Sequence, residues 1–222
     1  MLLRADSISK VYERRGREFP ALNQTDFSLE EGCLCVVQGR SGSGKTTLLN
    51  ILSGILAPTS GSVFLDQADM YAMNDSELSR LRGENFGIIP QGESAVSALT
   101  VLENVLLPAS VFTKEDAFIE RAQDLLDRMR IGKLSSVLPR ELSGGEMRRM
   151  AIARALIRDP KVVFADEPTS DLDDANTREV FGILKETARS GKAVLVVSHE
   201  KCVPEYADIV YRMEGGSLNR CV

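Results

Sequence analysis

The sequence predicts an α/β fold around a mostly parallel sheet, on three observations. Residues 162–165 and 193–197 are continuous apolar runs, the pattern of short strands buried on both faces. The apolar run 33–38 passes straight into Gly39-Arg40-Ser41-Gly42-Ser43-Gly44-Lys45-Thr46, and residues 46–55 then read as a helix. From 100 to 160 the period turns helical, so residues from about 92 to 158 read as a helical insertion in the α/β core.

The remaining elements follow in order. Short alternating or apolar stretches at 3–9, 25–29 and 62–65 read as strands, with Gly32 and Gly61 marking turns. Residues 87–90 form another short strand, which ends at Gln91. Phe118, Ala122, Leu125, Leu126 and Met129 recur at spacings of three and four, one apolar stripe of an amphipathic helix. Ser143 is the N-cap residue of a helix over 144–157, before Pro160. A further helix spans about 174–189, and 209–213 with 217–218 make a closing hairpin around Gly215-Gly216.

At 222 residues the chain suits one large domain with ample core. A net charge of −5 argues against nucleic acid as the main partner. No apolar run approaches the roughly 18–20 residues of a membrane span. The first residues, Met1-Leu2-Leu3-Arg4-Ala5-Asp6, turn polar too soon for a signal peptide. Of the four cysteines, Cys33 and Cys35 alternate with Leu34 and read as small hydrophobes on one strand face. With Cys202 and Cys221 they fit structural thiols of a reducing cytoplasm better than a metal site, since the chain has a single histidine.

Gly39–Thr46 is a phosphate cradle. Its glycines let backbone N–H groups turn inward, Lys45 adds charge at the β- and γ-phosphates, and the Thr46 hydroxyl is a Mg²⁺ ligand. The run 162–165 ends in Asp166-Glu167. Ionised carboxylates at an apolar strand end are costly without a cation or water network, so Asp166 is read as the metal ligand and Glu167 as the group that polarises water. Gln91 offers a neutral amide at a strand end. His199 follows the run 193–197 at the strand end where α/β ligands gather, which leaves a functional and a structural role level. Leu142-Ser143-Gly144-Gly145-Glu146 opens a helix with a second glycine-rich anion site. Arg148 and Arg149, just inside that helix, read as a solvated face rather than as phosphate ligands.

Together, and in this order, these motifs resemble the ATP-binding cassette (ABC) family, the ATPase subunits of ABC transporters, over essentially the whole chain. The resemblance implies an α/β P-loop NTPase core with a mostly parallel sheet, an N-terminal antiparallel β subdomain and an inserted α-helical subdomain, all in one nucleotide-binding domain spanning 1–222. It makes Gly39–Thr46 the Walker A loop, Gln91 the Q-loop residue, and Leu142–Glu146 the signature. Asp166 and Glu167 end Walker B, Ser170-Asp171-Leu172-Asp173 is the D-loop, and His199 the switch histidine. It implies catalysis by Glu167, His199 and Gln91, and Mg²⁺ held by Thr46, Gln91 and Asp166. ATP then binds through Tyr12, Gly39, Ser41, Gly42, Ser43, Gly44, Lys45, Thr46 and Thr47, with Ser143, Gly144, Gly145 and Asp173 serving the nucleotide as well. Tyr12 sits where the family stacks an aromatic on adenine, an exposed surface tyrosine being the alternative.

In that family two copies sandwich two ATPs head to tail, and a separate integral membrane permease is driven from the cytoplasmic face. Tyr12-Glu13-Arg14-Arg15-Gly16, Leu99-Thr100-Val101-Leu102-Glu103-Asn104-Val105 and Ala165-Asp166-Glu167-Pro168-Thr169 resemble cassettes of the lipoprotein-release, macrolide-export and cell-division group. A soluble non-transport ATPase, an importer subunit and a non-hydrolysing regulatory cassette are the other readings. Three departures stand out: Gly92-Glu93-Ser94-Ala95-Val96-Ser97 replaces aromatic and Leu-Pro residues, Asp171 replaces Ala or Asn, and Glu200 replaces Asp.

Overall fold

The computed structural model of the chain describes residues 1–14, 16–92, 94–111, 115–200 and 205–221. Among these, β1 (Leu3–Arg14) and β2 (Arg17–Leu29) form a long antiparallel hairpin through Gly16, whose φ of 71° is left-handed. With β4 (Ser60–Leu65) and β5 (Ala68–Asp69) they make an antiparallel sheet of order β2-β1-β4-β5, where β3 (Leu34–Gln38) belongs to the other sheet.

That second sheet has the order β10-β9-β3-β8-β7-β6, built from β6 (Phe86–Ile89), β7 (Val162–Asp166), β8 (Ala193–Ser198), β9 (Ile209–Glu214) and β10 (Ser217–Arg220). All its pairings are parallel except β9–β10, the predicted hairpin. Side chains alternate across a strand, and both faces are filled. Leu34, Val36, Val163, Ala165, Val194 and Val196 pack with the helices α3 (Val101–Ser110), α4 (Ile119–Arg128), α5 (Gly144–Leu156) and α6 (Asp174–Arg189). Cys35, Val37, Phe164, Leu195 and Val197 face α1 (Lys45–Leu52) and the antiparallel sheet. Two-sided burial is why these strands read as unbroken apolar runs.

Three expectations change. The first two strands are much longer than 3–9 and 25–29, because the outer half of β2 is exposed and carries no buried face to reveal it. A bulge at Ser7 (φ 50°), whose N–H donates to Asp26 Oδ1 at 2.7 Å, further breaks the alternation. Helix α2 (Asp75–Asn85) had no apolar stripe to announce it, since only Leu78 is buried; its signal is the capping box of Asn74 with Glu77. The solvated reading of Arg148 and Arg149 is wrong. Arg148 is 7% exposed and donates to the Pro90 carbonyl at 3.0 Å, while Arg149 pairs with Glu179 at 2.9 Å. That side of α5 lies against α6 and the loop after β6, not against water.

Cys33 and Cys35 are buried in one core cluster as expected, and burial pushes both thiols upward. Cys202 lies outside the described residues.

The phenyl ring of Phe164 is fully buried and meets Phe86 edge to face, with centroids 5.1 Å apart. Phe164→Ala is expected to lower unfolding free energy by about 3–5 kcal/mol in urea titrations followed by circular dichroism. A loss below about 1 kcal/mol would contradict this account of the core.

Candidate functional site

The strands β3, β7 and β8 all end on one edge of the parallel sheet, and the chemistry gathers there. After β3 the chain wraps through residues 39–44 into the start of α1. A Cβ at Gly39 would collide with the Met213 carbonyl oxygen and with Ser43 Oγ. Gly44, at φ 107°, has the Ala21 carbonyl of β2 in the same position. The loop is therefore clamped between two other strands, and only glycine fits both contacts.

Lys45 opens α1 with 6% exposure. Its Nζ donates to the carbonyls of Gly39 (2.8 Å) and Arg40 (3.2 Å) and lies 3.3 Å from Glu167 Oε1. Thr46 Oγ1 donates to Asp166 Oδ1 at 3.3 Å. Asp166 and Glu167 are each 7% exposed. Burial raises the Asp166 pKa, with the neighbouring Glu167 charge adding to the rise and Thr46 and Lys45 opposing it. Glu167 leaves the strand in a left-handed conformation, φ 45°, while its N–H still donates to the Val197 carbonyl at 2.9 Å. Its Oε2 accepts from the His199 N–H at 3.2 Å and contacts His199 Nδ1 at 2.8 Å. An ionised carboxylate only accepts, so this contact requires the proton on Nδ1.

Most of the predicted nucleotide residues border one cleft of about 620 Å³: Tyr12, Ser41, Gly42, Gly44, Lys45, Thr46, Thr47, Gln91, Glu167 and His199. Arg40 of the phosphate loop borders it too, as do Phe19 and Ala21, which escaped the sequence reading. The signal for Phe19 was faint, a single aromatic in a polar strand. Gly39 and Ser43 border an adjoining cavity of about 900 Å³ together with His199, Glu200 and Arg212. Ser43 Oγ is buried without a hydrogen-bond partner, an uncommon debt that a phosphate oxygen or water in the loop would settle.

Ser143, Gly144, Gly145 and Asp173 are not among the residues bordering either cavity. Ser143 and Gly144 are exposed at the start of α5. Ser143 forms a capping box with Glu146: its N–H donates to Glu146 Oε2 at 2.7 Å, and Glu146 N–H returns to Ser143 Oγ at 3.4 Å. Asp173 caps α6 by accepting from Asn176 N–H (2.8 Å) and Nδ2 (3.0 Å). Asn176 in turn fills the space where Gly145 would carry a Cβ. Asp173 thus reaches the signature at one remove.

The oxygen set of Thr46, Asp166 and Gln91 is hard and suits Mg²⁺, which takes few protein ligands beside phosphates. No cluster of three or more His, Cys, Asp or Glu side chains able to cage a metal occurs among the described residues. No helix among them is long and apolar enough to cross a membrane.

Comparison with known proteins agrees with this geometry. The ABC transporter family model matches residues 22–170. The chain is 39% identical over 218 residues to the lipoprotein-releasing system ATP-binding protein LolD of Aquifex aeolicus, covering 98% of this chain and 96% of that one. It is 35% identical to the macrolide export ATP-binding/permease protein MacB of Chlorobaculum tepidum, over 95% of this chain but 32% of that longer protein. Among solved structures, the dimeric post-hydrolysis state of the cassette MJ0796 bound to ADP and Pi superposes with a TM-score of 0.89 at 29% identity, covering 99% of this chain and 98% of that one. On these matches the chain belongs to the ABC transporter family, as one of its ATPase cassettes.

Proposed function

We propose that this ATPase works as a head-to-tail pair of identical copies closing on two ATPs, and that the pair drives a separate permease of the lipoprotein-release or macrolide-export type. One observation carries the pairing. Lys45, Thr46 and Glu167 share a cleft that Ser143, Gly144 and Gly145 do not border. The first four N–H groups of a helix lack intrahelical partners. The capping box uses those of Ser143 and Glu146, which leaves the N–H of Gly144, exposed at the start of α5, for an anion brought by another copy. That MJ0796 forms a dimer at 29% identity supports the arrangement.

Within one copy, the loop amides and Lys45 hold the β- and γ-phosphates. Thr46, Asp166 and Gln91 would hold Mg²⁺, which would offset the negative charge of the phosphates during transfer. The Glu167 carboxylate takes up the proton of the attacking water as the water oxygen bonds to the γ-phosphorus and the bond to the β–γ bridging oxygen breaks, releasing ADP and phosphate, and His199 keeps that carboxylate aimed. Tyr12 stacks on the base, and Asp173 supports the signature through Asn176.

We read 1–222 as a single cassette with 92–158 as its helical subdomain. The name of MacB, a macrolide export ATP-binding/permease protein, and that of LolD, part of a lipoprotein-releasing system, support the permease class, and we place the cassette on the inner membrane face through that permease. A net charge of −5 fits the absence of nucleic acid from the partners.

Glu167→Gln should bind ATP but lose hydrolysis by about 10²–10⁴-fold, so an ATP-dependent dimer should accumulate on size exclusion. A variant that stays monomeric in saturating ATP and hydrolyses normally would refute the base assignment. Recovered from its own cells, the same trapped dimer should carry an integral membrane protein with it; recovery free of membranes would sink the transport reading.

Lys45→Ala removes charge-assisted bonds to phosphate and should weaken ATP binding by about 10–100-fold in equilibrium titrations. Unchanged affinity would contradict the loop assignment.

A further inference from the structure

The nucleotide cleft has an apolar end to which phosphate chemistry assigns nothing. Tyr12 on β1 and Phe19 on β2 are direct partners across the hairpin, so their side chains leave the sheet on the same face. They are 41% and 59% exposed, unusual for large aromatic groups, and both border the cavity that contains Lys45 and Thr46. Hairpin stabilisation does not account for the pair. Cross-strand aromatics stabilise by touching, and no ring contact joins these two among the described residues.

Tyr12 is nevertheless held in place. Lys10 Nζ, anchored to the Ala57 carbonyl at 2.7 Å, lies over its ring at 5.5 Å from the centroid. A ring fixed from one side offers a pre-set surface and loses less freedom on binding. Phe19 is followed by Pro20, which has no N–H, and then by Ala21, whose carbonyl abuts Gly44 of the phosphate loop. Two residues along a strand cover about 7 Å, the distance a ribose spans between a base and its first phosphate.

We propose that Phe19 is a base-binding residue, forming with Tyr12 an aromatic seat for the purine of the nucleotide whose phosphates lie in the Gly39–Thr46 loop. The assignment rests on reading this cleft as the nucleotide site and adds how its base is held. Aromatic faces recognise the π-surface of a base and not its hydrogen-bonding edge. The seat therefore grips adenine and guanine nucleotides alike.

The test compares Phe19→Ala, Phe19→Leu and Phe19→Tyr with the parent chain by calorimetric titration of ADP, GDP and inorganic pyrophosphate in Mg²⁺ buffer. Phe19→Ala and Phe19→Leu should bind ADP and GDP about 5- to 20-fold more weakly, and Phe19→Tyr within about 2-fold of the parent. Pyrophosphate affinity should be the same in all four. Unchanged ADP affinity in Phe19→Ala and Phe19→Leu overturns the proposal. So does a parallel fall in pyrophosphate affinity, which would put the loss in the loop rather than at the base. A parent chain that binds neither ADP nor pyrophosphate would overturn the reading of the cleft itself.

Discussion

The rest of the structure depends on a buried charge imbalance. Lys45, Asp166 and Glu167 are each under a tenth exposed, so one ammonium faces two carboxylates in a poorly hydrated corner. Taking charges out of water is costly unless each finds partners. Lys45 finds two carbonyls and Glu167, and Glu167 finds Lys45 and His199. Among the described residues Asp166 has only the Thr46 hydroxyl, at 3.3 Å, as a hydrogen-bond partner, and burial raises its pKa. The corner is short of positive charge on the side that opens to the cleft. A divalent cation would supply it. The glycines at 39 and 44 let the loop close tightly around Lys45.

Helix α5 transmits the consequences. Its N-terminus presents Ser143 and Gly144 to solvent, while its sides reach into the chain. Arg148 donates to the carbonyl of Pro90, and Arg154 to the Ser94 carbonyl at 2.7 Å and to the Ser94 hydroxyl. These two anchors bracket Gln91. Arg148 is buried deeply enough for its pKa to be lowered, with Asp171 as the opposing charge. A displacement of the signature helix would therefore carry the Gln91 loop with it, because breaking either anchor strands a largely buried guanidinium. The α5 helix and the residues on either side of Gln91 are thus tied together by two arginines.

Much of this was legible in the sequence, and the misses share a physical cause. The phosphate loop, Asp166-Glu167 and the capped start of α5 were readable because each needs fixed residue types at fixed spacing. The central strands were readable because burial on both faces leaves no alternative to apolar residues. Arg148 and Arg154 were opaque: hydrophobic periodicity cannot tell a solvated arginine from one whose partner is a carbonyl about 60 residues away, at 58 and 60 positions' separation. Helix α2 was missed because it is held by its cap and a single buried leucine, and Phe19 because an isolated aromatic acquires meaning only from its partner across the hairpin.

The unusual stretch after Gln91 follows the same logic. Asn104, fully buried on α3, accepts from the Val96 N–H at 2.8 Å. Its Nδ2 in turn shares its two hydrogens among the carbonyls of Val96, Leu99 and Thr100 at 3.0–3.1 Å. With Arg154 on Ser94, the segment is tied down at both of those points by side chains from the helical block. Ser94 and Val96 are thereby held to the helical block, and the exposed side chains of Val96 and Ser97 are small. A partner protein seated there would meet a shallow surface. Since small side chains bury little apolar area, the bulk needed for a specific contact has to come from the partner.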